Sequence, residues 1–358
     1  MSAKLLINLN KIKNNISFWQ NLCQQHNIKL IGVGKGCPAS PKVARLIGNT
    51  TSIYGDSRLN RLRELKKAGV DFELSLLRIP SPSELEAVVK YSDISFNSQL
   101  RVIRKLNQAA INLNQPHQII LMLESGDLRE GIYPPENSIK IAAEVENMEG
   151  LKLIGIAANF SCYGGIKPDT NKLNSLIQTA EKIESRLARK LEIISGGATT
   201  SLPLLLENKL PARINQLRLG EALLLGRDIQ DIWGYELPEL NTDSFLLEAE
   251  VIEVAKKPSK PYGEISVDAF GQRPSFEDRG MRRRAILAIG RADFVYPDQL
   301  IPCQQDIEVL GASSDHLILD IQESKTPIEL GDRLRFQLYY GPLVHLSQSN
   351  DVEKVIIN

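Results

Sequence analysis

The run KLIGVGKG, residues 29–36, decides how the rest of the chain is read. Its apolar stretch, Leu30 to Val33, shows no polar alternation, which marks a strand covered on both faces. The run ends at Lys35 with a glycine on either side. A lysine at the mouth of a buried strand calls for a reason beyond solvation.

Similar short runs recur along the chain. Strands are expected near 52–55 (SIYG), 73–78 (ELSLLR), 93–97 (DISFN), 118–124 (QIILMLE), 152–158 (KLIGIAA), 191–195 (LEIIS) and 214–219 (INQLRL). Helix-like stretches lie between them at 41–48, 57–68, 82–90, 98–113, 136–147 and 170–189. Strand alternating with helix implies repeated right-handed βαβ units. Eight strands in this order predict an α/β fold, a (β/α)8 TIM barrel over 9–228. A doubly wound open sheet would more often carry a Gly-rich dinucleotide fingerprint after its first strand, and none is present.

The pattern changes near residue 228. WGYELPEL, KKPSKPYGE and DAFGQRPSFEDRG are rich in Pro and Gly. Strand-like runs at 245–254, 285–290, 307–310, 316–321 and 333–339 separate them. A C-terminal all-β domain over 229–358 follows.

Composition narrows the function classes. Lys and Arg number 43, as do Asp and Glu, so there is no net charge. That leaves no electrostatic footprint for nucleic acid or an anionic membrane surface. No apolar stretch approaches the ~18–20 residues of a membrane span. The start, MSAKLLINLNKIKNN, does not read as a signal peptide. Cys23, Cys37, Cys162 and Cys303 form no CxxC pair, which suits reduced thiols and the cytoplasm. The four histidines are scattered, so no metal site is expected.

In such a barrel the chemistry gathers at the carboxyl ends of the strands. Those ends carry Lys35, Asp56, Arg78, Asn97, the ESGDLREG segment and Asn159, then Ser195-Gly196-Gly197 and Arg218. A lysine in a partly dry mouth loses proton affinity and can act as an amine nucleophile, forming a Schiff base. After the seventh strand, ISGGATTSLP offers glycine backbone N–H groups and the hydroxyls of Thr199, Thr200 and Ser201 to an anion. Gly220 follows the eighth strand. A carbonyl for Lys35 and a phosphate for these two loops together suggest pyridoxal phosphate (PLP).

The residues resemble the fold-type III PLP enzymes, the alanine racemase superfamily, and within it the alanine/ornithine racemases. The resemblance runs over almost the whole chain, through GVGKG, GDSRL, LLRIPSPSE, ILMLESGDLREGI, GIAANFSCYGG, IISGGATTSLP, INQLRLGEALLLGR, DAFGQRPSFEDRG and AILAIGRADF. It implies a PLP-dependent racemase that interconverts L- and D-amino acids. It also implies a homodimer in which each site combines one barrel with the partner's β domain. The strand LLINL at 4–8 would join that domain. Lys35 matches the Schiff-base lysine, and Arg129 the arginine near the cofactor's phenolic oxygen. Asn159 takes the place of a ring-contacting histidine. Thr199 falls at the phosphate-binding hydroxyl position, and Gly220 and Glu221 would give backbone N–H groups to the phosphate. Arg218 matches the arginine facing the pyridine nitrogen. Being permanently protonated, it cannot donate a full proton there, which suits brief proton removal at Cα.

The match has departures. Racemisation by two bases needs a group on each face of Cα. Arg291, in AILAIGRADF, stands where alanine racemases place the second base, a tyrosine. Arginine is a poor base. His316, in SSDHLILD, titrates in the right range. Asp315 is expected to orient a substrate group or Arg291. Cys37 is a further candidate. Asp93, Glu124, Asp127 and Asp315 are acidic groups that could receive a basic substrate side chain; Asp93 begins its strand and so stands at the wrong end. Two rival functions remain at this stage: a one-base PLP lyase or aldolase acting on D-amino acids, and a non-catalytic PLP-binding protein.

Overall fold

The computed structural model describes residues 2–37 and 40–357. The chain forms two compact units, residues 13–240 and residues 1–12 with 241–358. Residues 229–240 thus pack with the larger unit, where the Tyr235 hydroxyl donates to Glu207.

The first strand, β1 (Ala3–Asn8), belongs to the smaller unit. The larger unit holds β2 (Lys29–Val33), β3 (Ile53–Asp56), β4 (Glu73–Leu76), β5 (Ile94–Asn97), β6 (His117–Met122), β7 (Leu151–Ala157), β8 (Ile193–Ser195) and β9 (Gln216–Leu219). Each pairs in parallel with the next. β9 pairs back onto β2, with Arg218 opposite Ile31, and closes the barrel. This is the expected (β/α)8 architecture.

Strand alternation decides what faces inward. Ile31, Val33, Ile94, Phe96, Ile120 and Met122 belong to one buried cluster. Successive side chains of a strand point to opposite faces, so Lys35 continues the inward row of Ile31 and Val33. Helices cover the outer side. Helix Pro41–Thr51 starts on Ser40, whose hydroxyl accepts from the Val43 N–H at 3.3 Å, and has proline in its first turn. Helix Thr170–Leu187 starts on Asp169, which accepts from the Lys172 N–H at 2.8 Å.

The smaller unit carries β10 (Phe245–Pro258), β11 (Met281–Leu287), β12 (Leu300–Pro302), β13 (Glu308–Ala312), β14 (Leu317–Asp320), β15 (Arg333–Leu338) and β16 (Glu353–Ile357). Its sheet runs β12-β15-β10-β11-β14-β13, with β1 antiparallel to β10 and parallel to β16. Among the described residues no helix is long and apolar enough to cross a membrane.

One histidine links this packing to pH. His117 is buried in the barrel wall, with its Nε2 at 2.8 Å from the Ser95 hydroxyl. Burial pushes its pKa down to about 4 from 6.5. Between those values the unfolded chain binds a proton that the folded chain does not, so stability rises with pH across this window. Acidification from pH 6.5 to 4 is expected to remove about 3 kcal/mol through this residue alone. Urea midpoints measured at both pH values should show it, and His117→Gln should reduce the difference.

Candidate active site

Lys35 lies just past the end of β2, and Gly34 fixes it there. A Cβ on Gly34 would fall 2.1 Å from the Tyr54 hydroxyl oxygen, so only glycine fits beside that ring. Tyr54 in turn donates to Asp56 at 3.2 Å. Asp56 is fully buried and also accepts from the Arg58 N–H at 2.9 Å and from Arg61 at 3.4 Å.

The Lys35 side chain lines a cavity with Phe96, Met122, Arg129, Asn159 and Arg218. Burial lowers its pKa. Cys162 and Asp56 oppose that shift, while the guanidinium groups of Arg129 and Arg218 add to it. The amine is therefore more easily neutral than an exposed lysine, which is what a nucleophile needs.

Arg218 comes from β9 and reaches across the barrel. It donates to the Ser195 hydroxyl at 2.6 Å and to the Ala158 carbonyl at 2.8 Å. Its guanidinium stands 5.1 Å from the centre of the Phe96 ring. Burial pushes its pKa down to about 10, so it stays charged at neutral pH. Arg129 forms a two-pronged ion pair with the neighbouring Glu130. Asn159 sits between the two arginines. Its amide oxygen accepts from Arg218 at 3.3 Å in one orientation. Turned over, it accepts from Arg129 at 3.1 and 2.5 Å, and this second orientation satisfies both ends of the amide.

The loop after β8 is tightly built. Gly197 has φ +111, a conformation for which glycine is suited. The Gly196 N–H donates to the Gln216 carbonyl at 2.9 Å. Thr199 opens a single 3-10 turn, Thr199–Ser201, and is itself buried. The Thr200 hydroxyl is buried without a hydrogen-bond partner among the described residues. After β9, Gly220 precedes the short helix Glu221–Leu224. The Glu221 carboxylate turns away to the N–H groups of Arg227 and Asp228, at 2.9 and 3.0 Å.

Lys35, Arg129, Asn159 and Arg218 are thus brought to one cavity. Ser195 serves by holding Arg218. Several other expected residues are used elsewhere. Asp127 accepts from the N–H groups of Cys162, Tyr163 and Gly164 at 3.0–3.1 Å, so both its oxygens organise the loop. Glu124 caps the N–H groups of Gly126 and Leu128. Asp93 holds Lys66 and the Leu74 N–H, on structural duty as its position suggested. Asn97 bonds Ser95 through its own strand. Cys37 is buried. Cys162, Phe96, Met122 and Glu130 line the cavity without having been singled out in the sequence. Alternation along β5 and β6 points to Phe96 and Met122; the contribution of Cys162 depends on how the loop after β7 folds back.

Arg291, Asp315 and His316 belong to the smaller unit. The Arg291 guanidinium lies 4.1 Å from the centre of the Phe270 ring and donates to the Val295 carbonyl at 3.2 Å. It stands 3.8 Å from the Asp268 carboxylate. His316 closes the turn before β14: its backbone N–H donates to the Ser313 hydroxyl at 3.2 Å. Among the described residues no group of three or more His, Cys, Asp or Glu is placed to hold a metal ion.

Comparison with known proteins agrees with this architecture. Residues 7–228 match the family described as alanine racemase, N-terminal domain. The chain is 38% identical over 358 residues to ornithine racemase from Acetoanaerobium sticklandii, covering 100% of both chains. It is 38% identical over 353 residues to lysine racemase from Thermotoga maritima, covering 98% of both. Among solved structures, alanine racemase from Bartonella henselae with covalently bound pyridoxal phosphate superposes with a TM-score of 0.73 at 16% identity, covering 100% of both chains. The chain belongs to the alanine racemase N-terminal domain family.

Proposed function

We propose that the protein is a PLP-dependent amino-acid racemase, an isomerase that interconverts L- and D-amino acids. The observation that carries this reading is the Lys35 amine, half-buried at the barrel mouth in one cavity with Arg129 and Arg218. The named racemases that share 38% of its residues over the full chain support it.

The residues fit the cofactor. Lys35 offers an amine of lowered proton affinity to the aldehyde. The Thr200 hydroxyl, without a partner among the described residues, and the turn at Gly197 and Thr199 offer donors suited to a phosphate, with Gly220 and the Glu221 backbone beyond the next strand, while the Gly196 N–H is taken by the Gln216 carbonyl. Arg218 and Arg129 offer fixed guanidinium groups, with Asn159 between them. When bound, PLP supplies a carbonyl for amine capture and a conjugated ring that draws electrons from Cα.

The protein's own part is positional and electrostatic. Lys35 removes and returns the proton on one face of Cα. Arg218, locked by Ser195 and Ala158, presents a charge that does not give up its proton at neutral pH. Phe96 and Met122 exclude water from the cavity floor. The proposal extends to a homodimer in the cytoplasm, in which Arg291, Asp315 and His316 serve the second face of Cα.

Incubation with PLP and pure L-ornithine, followed by chiral chromatography, tests this reading. An approach to equal L and D is expected. Consumption of one enantiomer with release of a carbonyl product would indicate a lyase, and no change in either enantiomer a non-catalytic cofactor carrier.

A further inference from the structure

A second cavity, of about 360 Å3, opens from Lys35. Lys35, Arg129 and Glu130 line both it and the cavity already described, whereas Arg78 and Ser57 line the second alone. Leu77 and Ile79 give it apolar walls, beside which water screens an ion pair less. The charges on the walls do not balance. Arg129 and Glu130 meet with one oxygen per nitrogen and cancel. Lys35 and Arg78 remain, and among the described residues no second carboxylate lines the cavity.

Neighbouring acidic groups do not make up the difference. Asp56 is held by Tyr54, Arg58 and Arg61. Asp127 is taken by three backbone N–H groups, and Glu124 by two. Glu84, which is not a wall of the cavity, meets Arg78 through Nη2 at 3.0 Å. Both side chains of that pair are 42% exposed, so it is a weak competitor for the guanidinium. The other guanidinium groups of the site are more fully engaged. Arg129 gives Nε and Nη2 to Glu130, and Arg218 is locked by Ser195 and Ala158. A guanidinium carries five N–H donors, so Arg78 has capacity for a second carboxylate, and the Ser57 hydroxyl is a further donor on the wall.

An amino acid whose amine engages at Lys35 carries its α-carboxylate on the same carbon, whatever its side chain. We infer that the second cavity holds this α-carboxylate and that Arg78 is the residue that binds it. The inference rests on the racemase reading. The carboxylate supplies the negative charge that the walls lack, and a guanidinium fork matches its geometry. With the amine and the carboxylate both fixed, the Cα–H bond has one orientation relative to the Lys35 amine.

The test titrates the PLP-loaded protein with L-ornithine and with L-ornithinamide, which lacks the carboxylate charge, and reads each Kd from the change in the cofactor's visible absorption. Arg78→Gln is expected to raise the Kd for ornithine about tenfold or more and to leave that for ornithinamide unchanged. Arg78→Lys, which keeps the charge without the fork, should recover part of the loss. Glu84→Gln, which releases the guanidinium, should tighten ornithine up to about fivefold and not ornithinamide. Equal effects of Arg78→Gln on the two compounds would overturn the inference, because Arg78 would then act only on the shape of the site. So would an unchanged Kd for ornithine. A loss confined to L-glutamate would overturn it in favour of a side-chain carboxylate. Those three results leave the racemase reading standing. A PLP-loaded wild type whose absorption responds to neither amino acid would overturn that reading and this inference with it.

Discussion

Lys35→Ala is expected to abolish racemisation, with a loss of at least about three orders of magnitude in kcat, as for removal of a covalent catalytic group. It removes the amine proposed to capture the cofactor and to move the proton on one face of Cα. The fold should survive. Lys35 contributes nothing to the apolar cluster of Ile31, Val33 and Phe96, and the glycine that sets the local backbone, Gly34, is untouched. Circular dichroism and the urea midpoint should therefore match the wild type while turnover disappears. The alternative result, an unfolded or aggregated variant, would mean that Lys35 is structural.

Arg218→Gln should give the second-largest effect. The arginine spans three strands by donating to Ser195 and Ala158 from β9. Its loss leaves two buried acceptors short of donors, at about 1–3 kcal/mol each. It also removes a fixed positive charge from the cavity. Losing a preorganised donor typically lowers kcat by about 10²–10³. Arg218→Lys separates the two contributions: it keeps the charge but not the fork, so activity should recover only in part. Full recovery with lysine would mean that charge alone matters at this position, and that the contacts with Ser195 and Ala158 are incidental.

The barrel was legible because its strands are continuous apolar runs that stop at polar or glycine residues, as β2 does at Gly34 and Lys35. A row read at every second residue places Lys35 and Arg218 inward without any tertiary information. The elements that escaped are those whose pairing is not local. β12 is three residues long and ends in proline, and it is held by pairing with β15. β16 shows no clean alternation and exists through its parallel register with β1. The last turn of β10, Ala255 to Pro258, reads as charged loop but continues as strand against Arg284 to Met281.

The site divides in the same way. Residues placed by a strand, Lys35, Asn159 and Arg218, were readable from position. The acidic residues were not, because residue type alone does not show what a carboxylate is used for. Asp127 looks available in GDLREG, yet it is consumed by amides more than thirty residues away, at Cys162 to Gly164. Nothing in the sequence around Arg291 points to Asp268, which the folded loop brings to 3.8 Å from its guanidinium.

The most direct test of the central claim is chemical. The PLP-loaded protein should be reduced with borohydride, digested and mapped by mass spectrometry. The account predicts a single stoichiometric pyridoxyl modification on Lys35, absent from Lys35→Ala. A modification spread over surface lysines, or a stoichiometric one on any other lysine, would contradict it.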